Sequence, residues 1–412
     1  MLSWRDTNTL NFRHRMPLPE NLLTMLTCPR SRALMEEQIH SRPKLRCAAV
    51  MAWTSEMSPA DLYCYLWARF GSPNGLQNFL RANDSDNLIH WEWVLDHPVG
   101  RIHLQGMNFR TEILVLGELS IGEHDCNAFA DLFKRDFVNH GRAMAELRKK
   151  LEHWFEFVNP YQRIRTAVAK LLLDLRALDL QPESQKIADI RSAKDYKPGQ
   201  WDEISGRYSR GLGLCFGIRS MLPVMAEAYV NFLMFALLRP ELKADIRLRE
   251  NALRQPIDIR VKTLHITCVG FERPVDYATP ACKAYHTLVN ERNDLLHGNV
   301  VLEKLRFNDV YFNGRVPVFK TYRSMWDRTI GVQIDAVGLH RLEEEVATVK
   351  TLVTYLSSCL KPEIRNEIAM MAKKRDLGWN EKDARMGTLF ADHLVDAHLV
   401  FKDQAPKEKS DG

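Results

Sequence analysis

Several arginine–histidine pairs in the chain share the spacing Arg-x4-His, and each could supply a cation together with a proton-transfer group. They include Arg135 with His140, Arg260 with His265, and Arg292 with His297. RNA cleavage without a metal ion needs a base for the 2′-hydroxyl, a cation for the charge that grows on the phosphate, and an acid for the leaving 5′-oxygen. Spacing alone does not distinguish the pairs, so the choice depends on the elements that carry them.

The third pair lies on a helix that Thr279-Pro280 is predicted to open. Apolar residues recur along it at intervals of three and four, and Arg292 lies on the same stripe. The stripe comprises Ala281, Ala284, Tyr285, Leu288, Leu295 and Leu296. An arginine on that face points toward the core, where an unpaired guanidinium is costly, so the pattern predicts an anionic partner, either a side chain or a ligand phosphate.

The apolar run 221–238 offers that partner. Glu227 is the only charged residue between Ser220 and Leu238, and Asn231, four positions later, shares its face. Two polar residues near the centre of the run favour a buried helix of a soluble protein over a membrane span. We therefore expect Glu227 or Asn231 to lie within hydrogen-bonding reach of Arg292.

A purely structural interpretation of the same residues stays open. His297 precedes Gly298, a natural residue just beyond a helix end, and a histidine at a helix C-terminus is favoured by the helix dipole. An Arg292–Glu227 pair would then be an ordinary buried ion pair.

The segment "NERNDLLHGN", residues 290–299, resembles the R-[polar]-x3-H motif of HEPN domains, with Asn293 after the arginine and Gly298 after the histidine. The segment "LPVMAEAYVNFL", residues 222–233, resembles the upstream HEPN helix whose acidic or amide residue faces that motif. The resemblance covers roughly residues 204–360. It implies a small helical domain that forms a homodimer with the two motifs in one cleft.

The activity implied by the resemblance is that of a metal-independent endoribonuclease in toxin, abortive-infection or other antiphage defence systems. Arg292, His297 and Glu227 would be catalytic, and Asn293 and Asn231 would orient Arg292 or contact RNA. The expected partners are an RNA substrate, a second copy of the chain, and an antitoxin or trigger-sensing protein, with no cofactor. The alternative is a non-catalytic HEPN-like scaffold for dimerisation or RNA binding, and a third possibility is an unrelated helical regulatory protein.

The other two pairs have weaker settings. Arg135 and His140 follow predicted strands instead of an acid-bearing apolar helix, so they are kept as a second candidate site. The segment from Arg260 to His265 lies on a predicted strand, which the alternating residues Leu264, Ile266 and Cys268 suggest. Its Arg-x4-His spacing is interpreted as coincidence.

The composition and the absence of common motifs exclude several other classes of protein. The 412 residues include 45% hydrophobic and 26% charged residues with a net charge of +5, which is typical of a globular protein and permits an RNA partner. Eight cysteines without a CxxC pair argue against a zinc site or a disulfide scaffold, and the N-terminus lacks a signal-peptide pattern, so a cytoplasmic location is expected. No GxxxxGK[ST], HExxH or GxSxG motif occurs.

The patterning predicts a mainly α-helical chain with small β elements, in which an N-terminal α+β domain precedes a HEPN-like helical bundle. Strands are expected around residues 89–95, 102–104 and 112–117, and a hairpin at Asn313-Gly314. The expected segments are a poorly defined stretch 1–57, an α+β domain with a helical hairpin 58–180, a linker 181–203, the HEPN-like domain 204–360, a C-terminal helical extension 361–402 and a disordered tail 403–412.

Overall fold

The structure is a computed structural model that describes residues 18–19, 21–39, 45–76, 87–185 and 199–391. The chain is mainly α-helical, with 58% helix and 15% strand in small antiparallel sheets, so the predicted fold class is confirmed. It divides into two compact units, one formed by residues 1–153 and 389–412 and the other by residues 154–388. The predicted tail 403–412 and most of the predicted linker lie outside the described residues.

The first unit combines a four-stranded antiparallel sheet with helices. Its strands follow the spatial order β1-β4-β3-β2. The helices are α1 (Ser31–Ile39), α2 (Pro59–Phe70) and α3 (Cys126–Arg148), and the strands are β1 (Cys47–Trp53), β2 (Trp91–His97), β3 (Gly100–Gly106) and β4 (Thr111–Gly117). The three strands expected from the sequence are therefore present as β2, β3 and β4.

Strand β1 was not predicted. It lies in the stretch 1–57, where prolines and charges obscure the pattern, although Ala49, Met51 and Trp53 alternate as buried residues along it. Its side chains join those of α2 and α3 in one core, and the Trp53 ring lies 5.7 Å from the rings of both Phe129 and Phe133. Because buried and exposed residues alternate along β1, one face of the strand is buried against the helices.

The second unit is a helical bundle with two small sheets. Its main helices are α4 (Pro160–Arg176), α5 (Gln200–Leu237), α6 (Ile246–Arg254), α7 (Ile257–Thr267), α8 (Pro280–His297), α9 (Val332–Val337), α10 (Leu342–Ser358) and α11 (Pro362–Met371). Its strands are β5 (Phe155–Val158), β6 (Val310–Asn313), β7 (Val316–Phe319), β8 (Asp376–Asn380) and β9 (Arg385–Gly387). Short helical segments span Pro182–Gln185, Pro240–Ala244 and Leu302–Leu305.

Helix α5 forms the centre of this unit, because α4, α7, α8 and α10 all pack against it. Its 38 residues are apolar on nearly every side from Leu222 to Leu237 and contribute to one continuous core with those helices. By length and composition α5 is also the one described helix that could span a membrane, and 56% of that apolar window is buried within the protein.

The boundary between the units differs from the one expected at 181–203. Helix α4, which the sequence placed with the first domain, packs on α5 through Val168, Leu172 and Leu175. Residues 181–203 therefore belong to the second unit and do not separate two domains.

The helical extension predicted for 361–402 is wrong for residues 376–387, which form β8 and β9, and residues 392–402 lie outside the described part of the chain. Strand β8 pairs antiparallel with β5, from more than two hundred residues earlier in the chain. Next to this pairing, the fully buried side chain of Asn159 donates to the backbone carbonyls of Met371 at 3.2 Å and Lys374 at 3.1 Å. The same side chain accepts hydrogen bonds from the first turn of α4, so one amide joins the two ends of the unit.

Candidate functional site

Helix α8 carries the favoured arginine–histidine pair and has the predicted bounds. It begins after Thr279-Pro280 and ends at His297, and Gly298 follows in the left-handed conformation with φ of +61°. Its buried residues Cys282, Tyr285 and Leu288 face α5 and α10. Arg292 is half-buried on this helix, whereas the His297 side chain is exposed at the helix end.

Arg292 lies in a setting that leaves its guanidinium short of acceptors. Its Nη1 donates to the Asn293 side-chain oxygen at 2.8 Å. Its Nε is buried and has no hydrogen-bond partner among the described residues. None of the described carboxylates forms an ion pair with the Arg292 guanidinium. A buried cationic donor without an acceptor is costly, so this arginine is suited to receive an anion.

The expected partners of Arg292 are bound to another arginine. Glu227 and Asn231 on α5 both accept hydrogen bonds from the Arg260 guanidinium on α7, and the Arg260 Nε donates to the Gln255 carbonyl at 2.8 Å. The prediction that Glu227 or Asn231 bonds to Arg292 is therefore wrong. The hydrogen bonds of the Arg260 guanidinium are therefore satisfied, and its side chain is only 8% exposed, whereas that of Glu227 is 37% exposed.

This outcome depends on α7, which the sequence analysis took for a strand. The β-branched residues of the segment favour strand, yet Arg260, Val261 and Leu264 form a helical stripe that is buried against α5. That stripe, continued by the buried Cys268, was the signal that could have placed Arg260 opposite Glu227. The histidine of this pair, His265, is half-buried, and its Nδ1 has no described hydrogen-bond partner.

The buried Tyr285 on α8 is influenced by the charges of both arginines and of Glu227. Its hydroxyl donates to the Pro223 carbonyl on α5 at 3.3 Å. Burial raises the pKa of Tyr285, the negative charge of Glu227 raises it further, and the charges of Arg260 and Arg292 oppose that rise. All three charged groups therefore act on one buried hydroxyl, although no direct bond joins Arg292 to Glu227.

A buried network of ion pairs holds α8 at Glu291, one residue before Arg292. The sequence alone did not predict this network. Arg219 on α5 donates to both carboxylate oxygens of Glu345 on α10, with the Nε contact at 2.7 Å, and to Glu291 on α8 at 3.2 Å. Arg341 also donates to Glu291, at 2.9 Å. Because the Arg219 and Glu345 side chains are only 6% and 9% exposed, this network fixes the three helices at the level of Arg292.

Gly338 lies beside Arg219, the central residue of this network. It lies between α9 and α10 in the left-handed conformation, with φ of +69°. The Arg219 Nη1 donates to the adjacent Val337 carbonyl at 2.6 Å. A methyl group added at Gly338 would lie 2.5 Å from the same nitrogen.

We expect Gly338→Ala to lower the free energy of unfolding more than Gly298→Ala does. Both positions are left-handed, which costs alanine about 1–2 kcal/mol, but a methyl group at Gly298 meets nothing within 4 Å. The clash with Arg219 should add about 1–3 kcal/mol, the usual range for overpacking. Chemical denaturation of the two variants measures the difference, and equal losses would contradict the contact.

The remaining pair, Arg135 and His140, does not form a comparable site. Both lie on α3, where Arg135 is exposed and bonds to the Asp131 carbonyl of its own helix at 3.4 Å. His140 lies 3.5 Å from Asp136, whose carboxylate also accepts from Tyr65 and Arg69. These contacts stabilise the packing of α3 on α2. Among the described residues, no group of three His, Cys, Asp or Glu side chains is arranged to hold a metal ion.

Comparisons with known proteins add no relative: the chain matches no protein-family model, no curated protein and no solved structure.

Proposed function

We propose that the second unit is a metal-independent endoribonuclease of the HEPN type, with its reacting groups at the C-terminal end of α8. The observation that carries the proposal is the unmet hydrogen-bonding capacity of Arg292, whose buried Nε lacks a partner among the described residues while Arg260 has its donors occupied. A phosphate oxygen is the acceptor that such a guanidinium binds best.

His297 and Arg292 divide the chemistry between them. The imidazole of His297 takes the proton of the ribose 2′-hydroxyl, and the resulting oxygen attacks the adjacent phosphorus. Arg292 stabilises the negative charge that grows on the phosphate oxygens. The bond to the 5′-oxygen then breaks, and a protonated histidine returns a proton to that oxygen, which leaves a 2′,3′-cyclic phosphate and a 5′-hydroxyl. Exposure of His297 at the helix end gives RNA access to it.

Asn293, Glu227 and Asn231 support the site in this proposal, but the roles of Glu227 and Asn231 differ from those that the resemblance implied. Asn293 holds the Nη1 of Arg292 and orients the guanidinium. Glu227 and Asn231 bind Arg260 instead of Arg292, and of the two only Glu227 acts electrostatically on Tyr285. They are positioning residues in this scheme, which departs from the catalytic role that the resemblance implied for Glu227.

The proposed assembly is a homodimer in which two α8 helices contribute one His297 each, since one histidine cannot be base and acid in the same half-reaction. We place the enzyme in the cytoplasm as a toxin or antiphage defence protein, held in check by an antitoxin or by a trigger that the first unit senses. This context rests on the resemblance of residues 290–299 and 222–233 to HEPN segments.

Purified wild-type protein is expected to cleave a mixed-sequence RNA at the same rate with and without EDTA. The fragments should end in 2′,3′-cyclic phosphate, because the attacking group is the neighbouring 2′-hydroxyl, and RNA with 2′-O-methyl groups should resist cleavage. Gel analysis and mass spectrometry of the fragments test both points. Loss of cleavage on chelation, or fragments ending in 3′-hydroxyl, would rule out the mechanism.

A second candidate function is a non-catalytic scaffold that binds RNA without cleaving it. The observation that favours it is the engagement of Glu227 and Asn231 with Arg260, which leaves the arginine of α8 without the acid found in the resembling helix. Filter binding distinguishes the two, because a scaffold retains intact RNA, and Arg292→Gln would weaken its binding without any effect on RNA integrity.

A further inference from the structure

The segment that follows α8 exposes an unusual number of large apolar side chains. Within 300–322 they are Val300, Leu302, Leu305, Phe307, Val310, Tyr311, Phe312, Val316, Val318 and Tyr322. The four aromatic residues alone expose about 500 Å², taking roughly 200 Å² for each free side chain. With the aliphatic residues, the patch approaches the roughly 800 Å² that each partner contributes to a standard protein interface. Such a patch marks an interaction surface.

The two-stranded sheet β6-β7 at the centre of this patch has one open edge. Lys320 donates its N–H to the Asp309 carbonyl at 3.2 Å, so residues 309 and 320 form a hydrogen-bonded pair. Alternation along the antiparallel ladder makes 311 with 318 and 313 with 316 hydrogen-bonded pairs as well. The N–H and C=O groups of Val310 and Phe312 therefore point away from β7.

The two outer edges of this sheet are not equivalent. On β7 the outward position opposite Phe312 is Pro317, which has no N–H to donate, so that edge cannot continue the sheet. Natural edge strands are protected from pairing by charged residues or proline. The edge residues of β6, Val310, Tyr311 and Phe312, include neither. Among the described residues nothing pairs with β6 on this side.

Three cations near the sheet are engaged, since Arg306 and Lys320 both contact Asp309 and Arg328 lies over the Phe319 ring. Arg315, in the turn between the strands, is exposed. Strand β6 itself carries no cation that could bind phosphate, so its apolar edge suits a protein partner better than RNA.

We propose that β6 pairs with β6 of a second copy of this chain and so forms a four-stranded antiparallel sheet across a two-fold axis. Placing Tyr311 opposite Tyr311 of the partner subunit sets Val310 opposite Phe312 of the partner subunit, and both outward-facing residues on each side then exchange hydrogen bonds. A hollow of about 600 Å³ lies beside this edge. Leu302, Leu305, Phe307 and Val310 form its apolar lining, which receives apolar side chains from the partner, and its polar lining consists of Glu303, Arg306, Asn308 and Arg328. This pairing deepens the homodimer in the proposed function, but it requires no RNA and no catalysis.

The first test is the oligomeric state of the full chain by light scattering, without RNA. Wild type should have twice the single-chain mass of 47.7 kDa. Phe312→Lys should shift the particle to the single-chain mass, because it sets a charge on the paired edge, while Val316→Lys on β7 should remain a dimer. Melting temperatures of both variants control for folding. A monomeric wild type, or a Phe312→Lys variant that dimerises like Val316→Lys, would overturn the proposal.

A cross-linking experiment checks the register without relying on disruption. Tyr311→Cys places two thiols at a non-hydrogen-bonded pair with Cα atoms about 4.5 Å apart, which is within disulfide range. Mild oxidation should convert most of this variant to a covalent dimer on a non-reducing gel. Tyr322→Cys, with an 89% exposed position outside the strand, and wild type with its native cysteines serve as controls. Equal cross-linking in all three samples would contradict the register, whatever the outcome of the RNA assays.

Discussion

His297→Ala should reduce RNA cleavage by about two to four orders of magnitude, the usual contribution of a general base or acid. The fold should survive this change, because the side chain is exposed and follows the last turn of α8. Losing its favourable contact with the helix dipole costs only about 0.3–1 kcal/mol. Initial rates on a labelled RNA, measured together with melting curves, test the two expectations in one preparation.

The matched controls are the histidines of two other Arg-x4-His pairs. His140→Ala and His265→Ala remove the same side chain at the same spacing from an arginine, but from α3 and α7. Both should leave cleavage within a few-fold of wild type. If His265→Ala abolished cleavage and His297→Ala did not, the reacting pair would lie on α7, next to Glu227. If all three variants cleaved like wild type, none of these three histidines would be catalytic.

Glu345→Ala should lower the free energy of unfolding of the second unit by about 3–5 kcal/mol, the cost of removing one partner from a buried ion pair. Arg219 would keep Glu291 as a partner, but the two oxygens that bind its Nε and Nη2 would be lost. At about 2–4 °C for each kcal/mol, the melting temperature should fall by roughly 6–20 °C. Calorimetry of the full chain measures the shift.

Glu343 on the same helix provides a close control. Its ion pair with Arg176 is exposed, with 68% and 59% of the two side chains accessible. Glu343→Ala removes the same group two residues away and should cost less than about 1 kcal/mol, because exposed pairs contribute little. Similar melting temperatures for Glu345→Ala and Glu343→Ala would show that the network around Arg219 does not hold the three helices together.

The local signals in the sequence were sufficient for several elements. Thr279-Pro280 and Gly298 predicted the bounds of α8, and Asn313-Gly314 predicted the hairpin of β6 and β7. Each of these features is decided by one or two residues whose backbone preferences do not depend on distant partners. Local chemistry therefore predicts where such elements begin and end.

The parts that failed depend on partners far along the chain. The β-branched residues of α7 favour a strand locally, and only burial of Arg260 and Leu264 against α5 makes the helix the better state. Likewise, β8 follows a helix and looks like its continuation until β5 is supplied as its neighbour. Arg292 shows the same limit, since the sequence could predict an acid near it but not that Arg260 would bind that acid first.

The union of β5 and β8 through Asn159 bears on how the protein is made. A ribosome releases Asn159 early and Met371 and Lys374 more than two hundred residues later, so this amide stays without its carbonyl partners through most of synthesis. The separation costs little in chain entropy, which grows only with the logarithm of loop length. It does impose an order of events: α5, α8 and α10 leave the ribosome before β8 can pair with β5. The pairing of β5 with β8 is therefore a late step in the assembly of the second unit.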